Sequence, residues 1–262
     1  MAQAHVVARR TLPFVARSPV TLVRVATLLG LWLVWEFVSA TGLLYEGVVP
    51  SSFRIIAALA HELASRDFYW NLEFTLMEIV SSILIGGTAG LVVGLVVGGN
   101  RFAGEAYERY LQYIAPTPKI VFLPIMLVLF GVGAGSKIGQ GSLACFFPMA
   151  LSVASGVRQV DKVLLRVGRS YNLTLLQMVR MIYLPAIVPP FATGLRISLG
   201  VATIGCLLAE LKMSNRGLGF MIMQYYAQFR TPQMYAILIV MFALAMGANG
   251  LVSKYLRLPG TR

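Results

Sequence analysis

The sequence predicts an all-α integral membrane protein of six spanning helices, with a helix–turn–helix on the cytoplasmic side. Three observations carry this prediction. Of the 262 residues, 58% are hydrophobic and only 12% charged, about half the charge content of an ordinary soluble domain. The apolar residues fall into six long runs. The basic residues cluster in three places that six crossings bring to one side of the membrane.

The runs come in this order. Thr21 to Gly42 is apolar except for Arg24 and Glu36, and Phe74 to Gly99 carries one charge, Glu78. Ile114 to Gly133 carries Lys119, Ile138 to Val157 carries none, Ala186 to Leu208 carries Arg196, and Met234 to Val252 carries none. About 20 residues at a rise of about 1.5 Å cross a hydrocarbon layer about 30 Å thick, so each run is long enough to be one helix. A membrane barrel would instead show short alternating segments.

The net charge of +12 invites a nucleic-acid reading, but its distribution excludes one. Arg9, Arg10, Arg17 and Arg24 precede or open the first run. Arg158, Lys162, Arg166, Arg169 and Arg180 lie between the fourth and fifth, and Lys254, Arg257 and Arg262 follow the sixth. The positive-inside rule makes that side the cytoplasm and puts both termini there. The loop from Leu43 to Glu73 holds Glu46, Glu62, Asp67 and Glu73 against Arg54 and Arg66, as an outside loop does. Residues 1–20 read as a cytoplasmic basic tail and 21–262 as the six-span domain. Val38-Ser39-Ala40 fits a small-x-small cleavage site, yet the charge parity works with the first span retained. Cys145 and Cys206 fall inside spans and read as small buried apolar side chains.

Within the outside loop, residues 51 to 66 read as an amphipathic helix capped by Ser51 or Ser52. The second run contains Gly86, Gly90, Gly94 and Gly98. Four glycines at a spacing of four form one flat stripe on which a neighbouring helix can pack closely. The third run is interrupted: "APTPKIVFLP" places Pro116, Pro118 and Pro124 near or within it. Each proline removes a donor and bends a helix. Such breaks persist in a membrane where protein or a watery path satisfies the freed carbonyls, so a kink and a transport path both fit.

No catalytic or metal chemistry emerges. "HELAS" at 61 to 65 lacks the second histidine of a zinc motif. "GVGAGSK" at 131 to 137 lacks the Gly-Lys-Ser/Thr end of a phosphate-binding loop. His5 and His61 are the only histidines, and neither lies where it could activate an intramembrane serine. No cofactor is expected on this chain, and if the protein does work the energy comes from a partner or a gradient.

Charges inside the spans are functional candidates. Arg196 in "GLRISLG" sits deep in the fifth run. It either pairs with a carboxylate or carbonyls to hold the bundle, or faces a path for an anion. Lys119 and Glu78 lie nearer the ends of their runs, where side chains can snorkel. Glu210 and Lys212 lie at the outer end of the fifth. Arg196, Lys119 and Glu210 are the candidate path residues.

The loop from 158 to 185 is ordered in its pattern. Asp161 can cap a helix through Arg169, with Val160, Val163, Leu164 and Val167 on one face and Lys162, Arg166 and Arg169 on the other. Asn172 can take the left-handed conformation that ends a helix. A second helix follows, with Thr174, Gln177 and Arg180 as a thin polar stripe and Pro185 closing it. Such a projecting helix–turn–helix wants a docking partner.

At this point the sequence resembles the permease subunits of bacterial ABC importers of the nitrate/sulfonate/taurine group. That family carries a cytoplasmic motif of Glu-Ala-Ala, three residues, Gly, nine residues, then Ile-x-Leu-Pro. Aligned on Leu184-Pro185, Ile182 takes the isoleucine place, Asn172 stands where the glycine falls, and Arg166-Val167-Gly168 replaces Glu-Ala-Ala. Trp35-Glu36, the stretches 118 to 137 and 146 to 161, "GLRISLG", "AEL" and "RGLGFMI" follow in the family's order.

The resemblance implies a type I ABC importer-like fold. It further implies a homodimer of permeases, two cytoplasmic ATPases that carry ATP-Mg, and a periplasmic or extracellular solute-binding protein. It makes the loop from 158 to 185 a coupling loop, with Arg166, Val167, Gly168, Asn172, Ile182, Leu184 and Pro185 as its contact and joint residues. The cargo it suggests is a small anion such as a sulfonate, nitrate or a taurine-like compound. The competing reading is a gradient-driven carrier or channel without an ATPase.

Overall fold

A computed structural model describes residues 17–42 and 47–255. Arg9, Arg10, most of the basic tail, Glu46, Arg257 and Arg262 lie outside the described residues. All regular elements among the described residues are helical. Five helical stretches are long and apolar enough to cross a membrane: Val20–Thr41, Arg66–Gly99, Ala134–Arg158, Leu176–Lys212 and Thr231–Val252. A bent pair, Arg101–Ile114 and Lys119–Phe130, is a broken sixth span or a re-entrant loop.

The chain divides into two compact units, Met1–Ile56 and Ala57–Arg262. In the first, α1 (Arg17–Thr41) leads to the start of α2 (Ser52–Leu63). Glu36 is fixed there rather than exposed to lipid. Its Oε2 accepts from Ser52 N at 3.2 Å and from Ser52 Oγ at 2.9 Å, satisfying free donors at the helix start with a negative charge. Trp32 Nε1 donates to Ser52 Oγ, and Trp35 Nε1 to the Pro50 carbonyl.

In the second unit α3 (Arg66–Ser82), a π-helical turn (Ile83–Gly87) and α4 (Thr88–Gly99) make one crossing. It begins at Arg66 and not at Phe74, so Asp67 and Glu73 belong to the helix and not to a loop. Asp67 in the first turn suits the positive helix end. α5 (Arg101–Ile114) is capped by Asn100, whose side chain accepts from Phe102 N and Ala103 N. A short 3₁₀ turn (Lys119–Phe122) and α6 (Leu123–Phe130) follow.

The third run is therefore not one straight span. The pair is bent by 94° between Ile114 and Lys119, where Pro116 and Pro118 remove backbone donors. α6 alone, with eight residues, reaches only about 12 Å.

α7 (Ala134–Arg158) is the central helix, against which α3, α4, α6 and α10 (Leu184–Lys212) pack. Ala150, Val153 and Ala154 are fully buried on it. The glycine stripe faces it. A Cβ on Gly90 would meet Phe146 O at 2.5 Å, one on Gly94 would meet Ala150 O at 2.6 Å, and one on Gly98 would meet Ala154 O at 2.7 Å. Gly86 meets Ser142 O and Cys145 in the same way. Gly156 lies against the Pro190 ring on the α7–α10 side. Cys145 and Cys206 are both buried and free. α11 (Leu218–Ala227) and α12 (Thr231–Tyr255) close a second core of Phe68, Leu218, Met221, Ile222, Ile237 and Met241.

The loop from 158 to 185 forms α8 (Lys162–Ser170) and α9 (Leu175–Met178). Pro185 does not end the second helix. A π-helical turn (Val179–Tyr183) carries the chain from α9 into α10, giving one helical stretch from Leu176 to Lys212. Pro185 sits in the first turn of α10, and the widened turn before it accommodates the missing donor.

Candidate functional site: a helix–turn–helix, an unpaired arginine and a buried polar seam

The helix–turn–helix is built by local chemistry. Asp161 Oδ1 accepts from Val163 N at 2.7 Å and starts α8. Asn172 ends it with φ of +52°. Leu173 N donates to Gly168 O and Asn172 N donates to Arg169 O, both at 3.0 Å. This is the paired closure of a left-handed helix terminus. Thr174 and Gln177 form a capping box: Thr174 N donates to Gln177 Oε1 at 2.8 Å, and Gln177 N to Thr174 Oγ1 at 3.4 Å. Gln177 is thus a helix-start residue as much as part of a polar stripe, and the Thr-x-x-Gln spacing was the signal for it.

The two helices meet at a glycine. A Cβ on Gly168 would touch Ile182 Cδ1 at 2.8 Å, Met178 Sδ at 3.0 Å and Leu173 Cδ1 at 3.4 Å. Gly168, Asn172 and Ile182 therefore sit at one joint. Arg166, Val167 and Leu184 are exposed around it. Val163, Leu164 and Val167 leave an apolar stripe on α8 about half open, at 50%, 49% and 46%.

Arg196 lies near the middle of the Leu176–Lys212 helix. Its Nε is buried and has no hydrogen-bond partner, and neither ion pair found among the described residues involves it. A neighbouring stripe of α10, Ile197, Ile204 and Leu208, is exposed, and a Cβ on Gly200 would meet nothing within 4 Å.

Lys119 is placed differently. Its Nζ donates to Ile114 O, Ala115 O and Thr117 O at 2.6–2.9 Å. Those bonds use all three donors of the ammonium and staple the bend at the carbonyl end of α5. The ammonium also lies 4.8 Å from the Phe147 ring centre.

Glu210 is 1% exposed and bound into the fold. It accepts from Thr75 Oγ1 at 2.8 Å and from Gly219 N at 2.6 Å. Its partners belong to a buried seam that the hydropathy pattern concealed. Asn71, Thr75, Glu78 and Ser82 recur at i, i+4, i+7 and i+11 on α3, one helix face. All four are at most 5% exposed. Asn71 Oδ1 accepts from Gly217 N, and Thr75 Oγ1 from Leu218 N, both at 2.8 Å. Ser82 Oγ donates to Ile138 O at 3.1 Å.

Glu78 is 4% exposed and does not snorkel, contrary to its sequence position. The opposite wall supplies Lys137, 1% exposed, which donates to the Val132 and Gly133 carbonyls. The signal for this seam was the polar spacing within an apolar run.

Farther along, Tyr225 Oη donates to the buried Glu62 at 2.8 Å. Burial, then the Glu62 carboxylate, push the Tyr225 phenol above its ordinary range. Among the described residues no cluster of three metal-ligating side chains occurs.

A family model described as "Binding-protein-dependent transport system inner membrane component" matches residues 86–256. The taurine transport system permease protein TauC of Escherichia coli is 29% identical, over 87% of this chain and 86% of its own length. The bicarbonate transport system permease protein CmpB of Synechococcus elongatus is 25% identical, over 88% and 84%. A solved inward-facing structure of the MetNI methionine ABC transporter aligns with a TM-score of 0.57 at 18% identity. That alignment covers 78% of this chain and 95% of that one. The all-α fold is type I ABC importer-like.

Proposed function

Because the chain belongs to the family of binding-protein-dependent transport system inner membrane components, we propose that it is the permease of an ATP-driven importer of a small anion. It works as a homodimer in the bacterial inner membrane with both termini in the cytoplasm. Two ATPases, which bind the ATP-Mg, dock on the coupling loops, and a solute-binding protein delivers cargo from outside.

One observation carries the reading: a single helical stretch, Leu176–Lys212, links every part that such a machine needs. Its start holds Ile182, Leu184 and Pro185 beside the helix–turn–helix. Its middle holds Arg196, and its far end holds Glu210, which grips the first turn of α11. At about 1.5 Å per residue it is about 55 Å long. A displacement of α8 reaches α9 through the Gly168–Ile182 contact and travels along that helix as a rigid-body motion. The half-open Val163, Leu164 and Val167 stripe is the surface an ATPase groove would cover, with Arg166 at its side.

Arg196 is the residue proposed to meet the cargo. An arginine whose Nε lacks an internal partner, beside an uncovered stripe of a membrane helix, needs a second copy, water or an anion to satisfy it. Its planar fork matches the oxygens of a sulfonate or carboxylate. The names of the taurine and bicarbonate relatives support a small anion. Lys119 and Glu210 act beside that path as staples of the bend and of the outer loop. The family does not favour the gradient-driven alternative.

The test is gentle purification followed by native mass spectrometry and uptake assays in proteoliposomes that contain the neighbouring ATPase and binding protein. Two permeases with two ATPases, and uptake of a sulfonate that stops without ATP, are the expected results. Uptake that persists without an ATPase would overturn the reading.

A further inference from the structure

The polar seam contains more negative charge than it can hold. Glu78 lies one turn from Thr75 on the same face of α3, and Thr75 Oγ1 donates to Glu210 Oε1 of α10 at 2.8 Å, so the two carboxyl groups are neighbours. Both are at least nine-tenths buried. Two ionised carboxylates have no hydrogen to place between them. Among the described residues one cation faces them, Lys137 of α7. Cys206 of α10 is the remaining titratable neighbour; it makes a 3.3 Å contact with Ser82 Oγ. Arg216 of the outer loop is drawn over the Phe74 ring instead, and Lys119 is spent on carbonyls.

Counted as ionised, the cluster carries two negative charges and one positive. Burying that excess without a counter-ion is costly. A second observation marks the missing partner. Glu78 Oε2 is buried with no hydrogen-bond partner at all, although every other group of the α3 stripe is satisfied.

We propose that the permease binds one exchangeable proton at this site, shared between Glu78 and Glu210 and balanced by Lys137. The proton makes the cluster neutral and supplies the hydrogen that joins the two carboxyl groups. Glu210 is thereby held where its oxygens accept from Thr75 and from Gly219 N, which ties α3 and α10 to the start of α11. When the proton leaves, two carboxylates face one ammonium, the contact repels, and the grip of Glu210 on the start of α11 loosens. The site is a proton-linked latch at the Lys212 end of the helix that carries Arg196.

The experiment is infrared difference spectroscopy of the purified full-length permease in nanodiscs at pH 7, in H₂O and in D₂O. No substrate or ATPase is present, so the outcome is independent of the importer reading. The expected result is a protonated-carboxyl stretch that shifts in D₂O and corresponds to one group per chain. Glu78→Gln should abolish it, because the amide supplies its own donor to Glu210. Lys137→Met should roughly double it, because the cluster then needs a second proton. A wild-type spectrum without such a band would overturn the proposal. So would a band that persists in folded Glu78→Gln, or one unchanged in folded Lys137→Met.

Discussion

Gly168 of α8 lies directly against Ile182 of the following helix, with no room for a side chain: a Cβ would sit 2.8 Å from Ile182 Cδ1 and 3.0 Å from Met178 Sδ. Two of the residues proposed for coupling thus form the joint at which one helix is set on the other. The clashing atoms are the ends of flexible side chains, so Gly168→Ala should cost little, at most the lower end of the about 1–3 kcal/mol typical of overpacking. Gly168→Trp should separate the helices. We expect it to extract and fold, yet to lose its ATPase in native mass spectrometry and its uptake in proteoliposomes. Full uptake with Gly168→Trp would remove the joint from the mechanism.

Asn172 makes a sharper prediction because its backbone is left-handed. Asn172→Gly should preserve or slightly raise the melting temperature and leave ATPase binding unchanged. Asn172→Val should lower stability by about 1–2 kcal/mol, the cost of that conformation for a side chain without a local polar bond. Thermal unfolding of the two variants side by side measures the difference.

Arg196 is open to a direct transport test. Arg196→Met keeps length and apolar stem but removes the charge. A hydrogen bond to a charged group is worth about 1.5–3 kcal/mol, so uptake of an anionic cargo should weaken by about tenfold or more. Melting temperature should stay constant or rise, since no internal partner is lost. Unaltered uptake kinetics would sink the anion-path assignment while leaving the permease reading intact.

The glycine stripe allows a matched comparison. Gly90→Ala would press a methyl group onto the Phe146 carbonyl at 2.5 Å, whereas the neighbouring Gly87 would meet nothing closer than 3.8 Å. Gly90→Ala should force α4 away from α7 and reduce folded yield and melting temperature. Gly87→Ala should be tolerated. Equal behaviour of the two would show that close α4–α7 packing does not limit stability.

Tyr225→Phe should destabilise by about 1–3 kcal/mol, because it leaves the buried Glu62 carboxylate without its donor. The pH dependence has a definite sign. The Tyr225 phenol is raised above the ordinary value, so above about pH 10 the unfolded chain releases a proton that the folded chain retains. Stability contributed by this bond is complete below that pH and falls as pH rises through the raised value. A wild-type alkaline loss that is identical in Tyr225→Phe would exclude this bond as its source.

Much of this protein is written in local pattern. Run length determines a membrane protein of five or six spans, because hydrocarbon thickness and insertion energetics act on contiguous segments. Asp161, Asn172 and the Thr174–Gln177 pair determine the helix–turn–helix, because caps and left-handed turns depend on residues within one turn of each other. The spacing of Gly86, Gly90, Gly94 and Gly98 determined a flat face, though not its partner. Tertiary structure decided the rest. It set α7 against those glycines, joined α9 to α10 through a π-turn where Pro185 had suggested a stop, and broke the chain around the third apolar run with a 94° bend. It left Arg196 Nε without a partner and brought Glu78, Lys137 and Glu210 from three helices into one buried cluster. Hydropathy records how many charges a span carries. Whether a charge meets lipid, water or another charge is fixed by contacts between segments distant in the chain, and the cost of burial makes those contacts decisive.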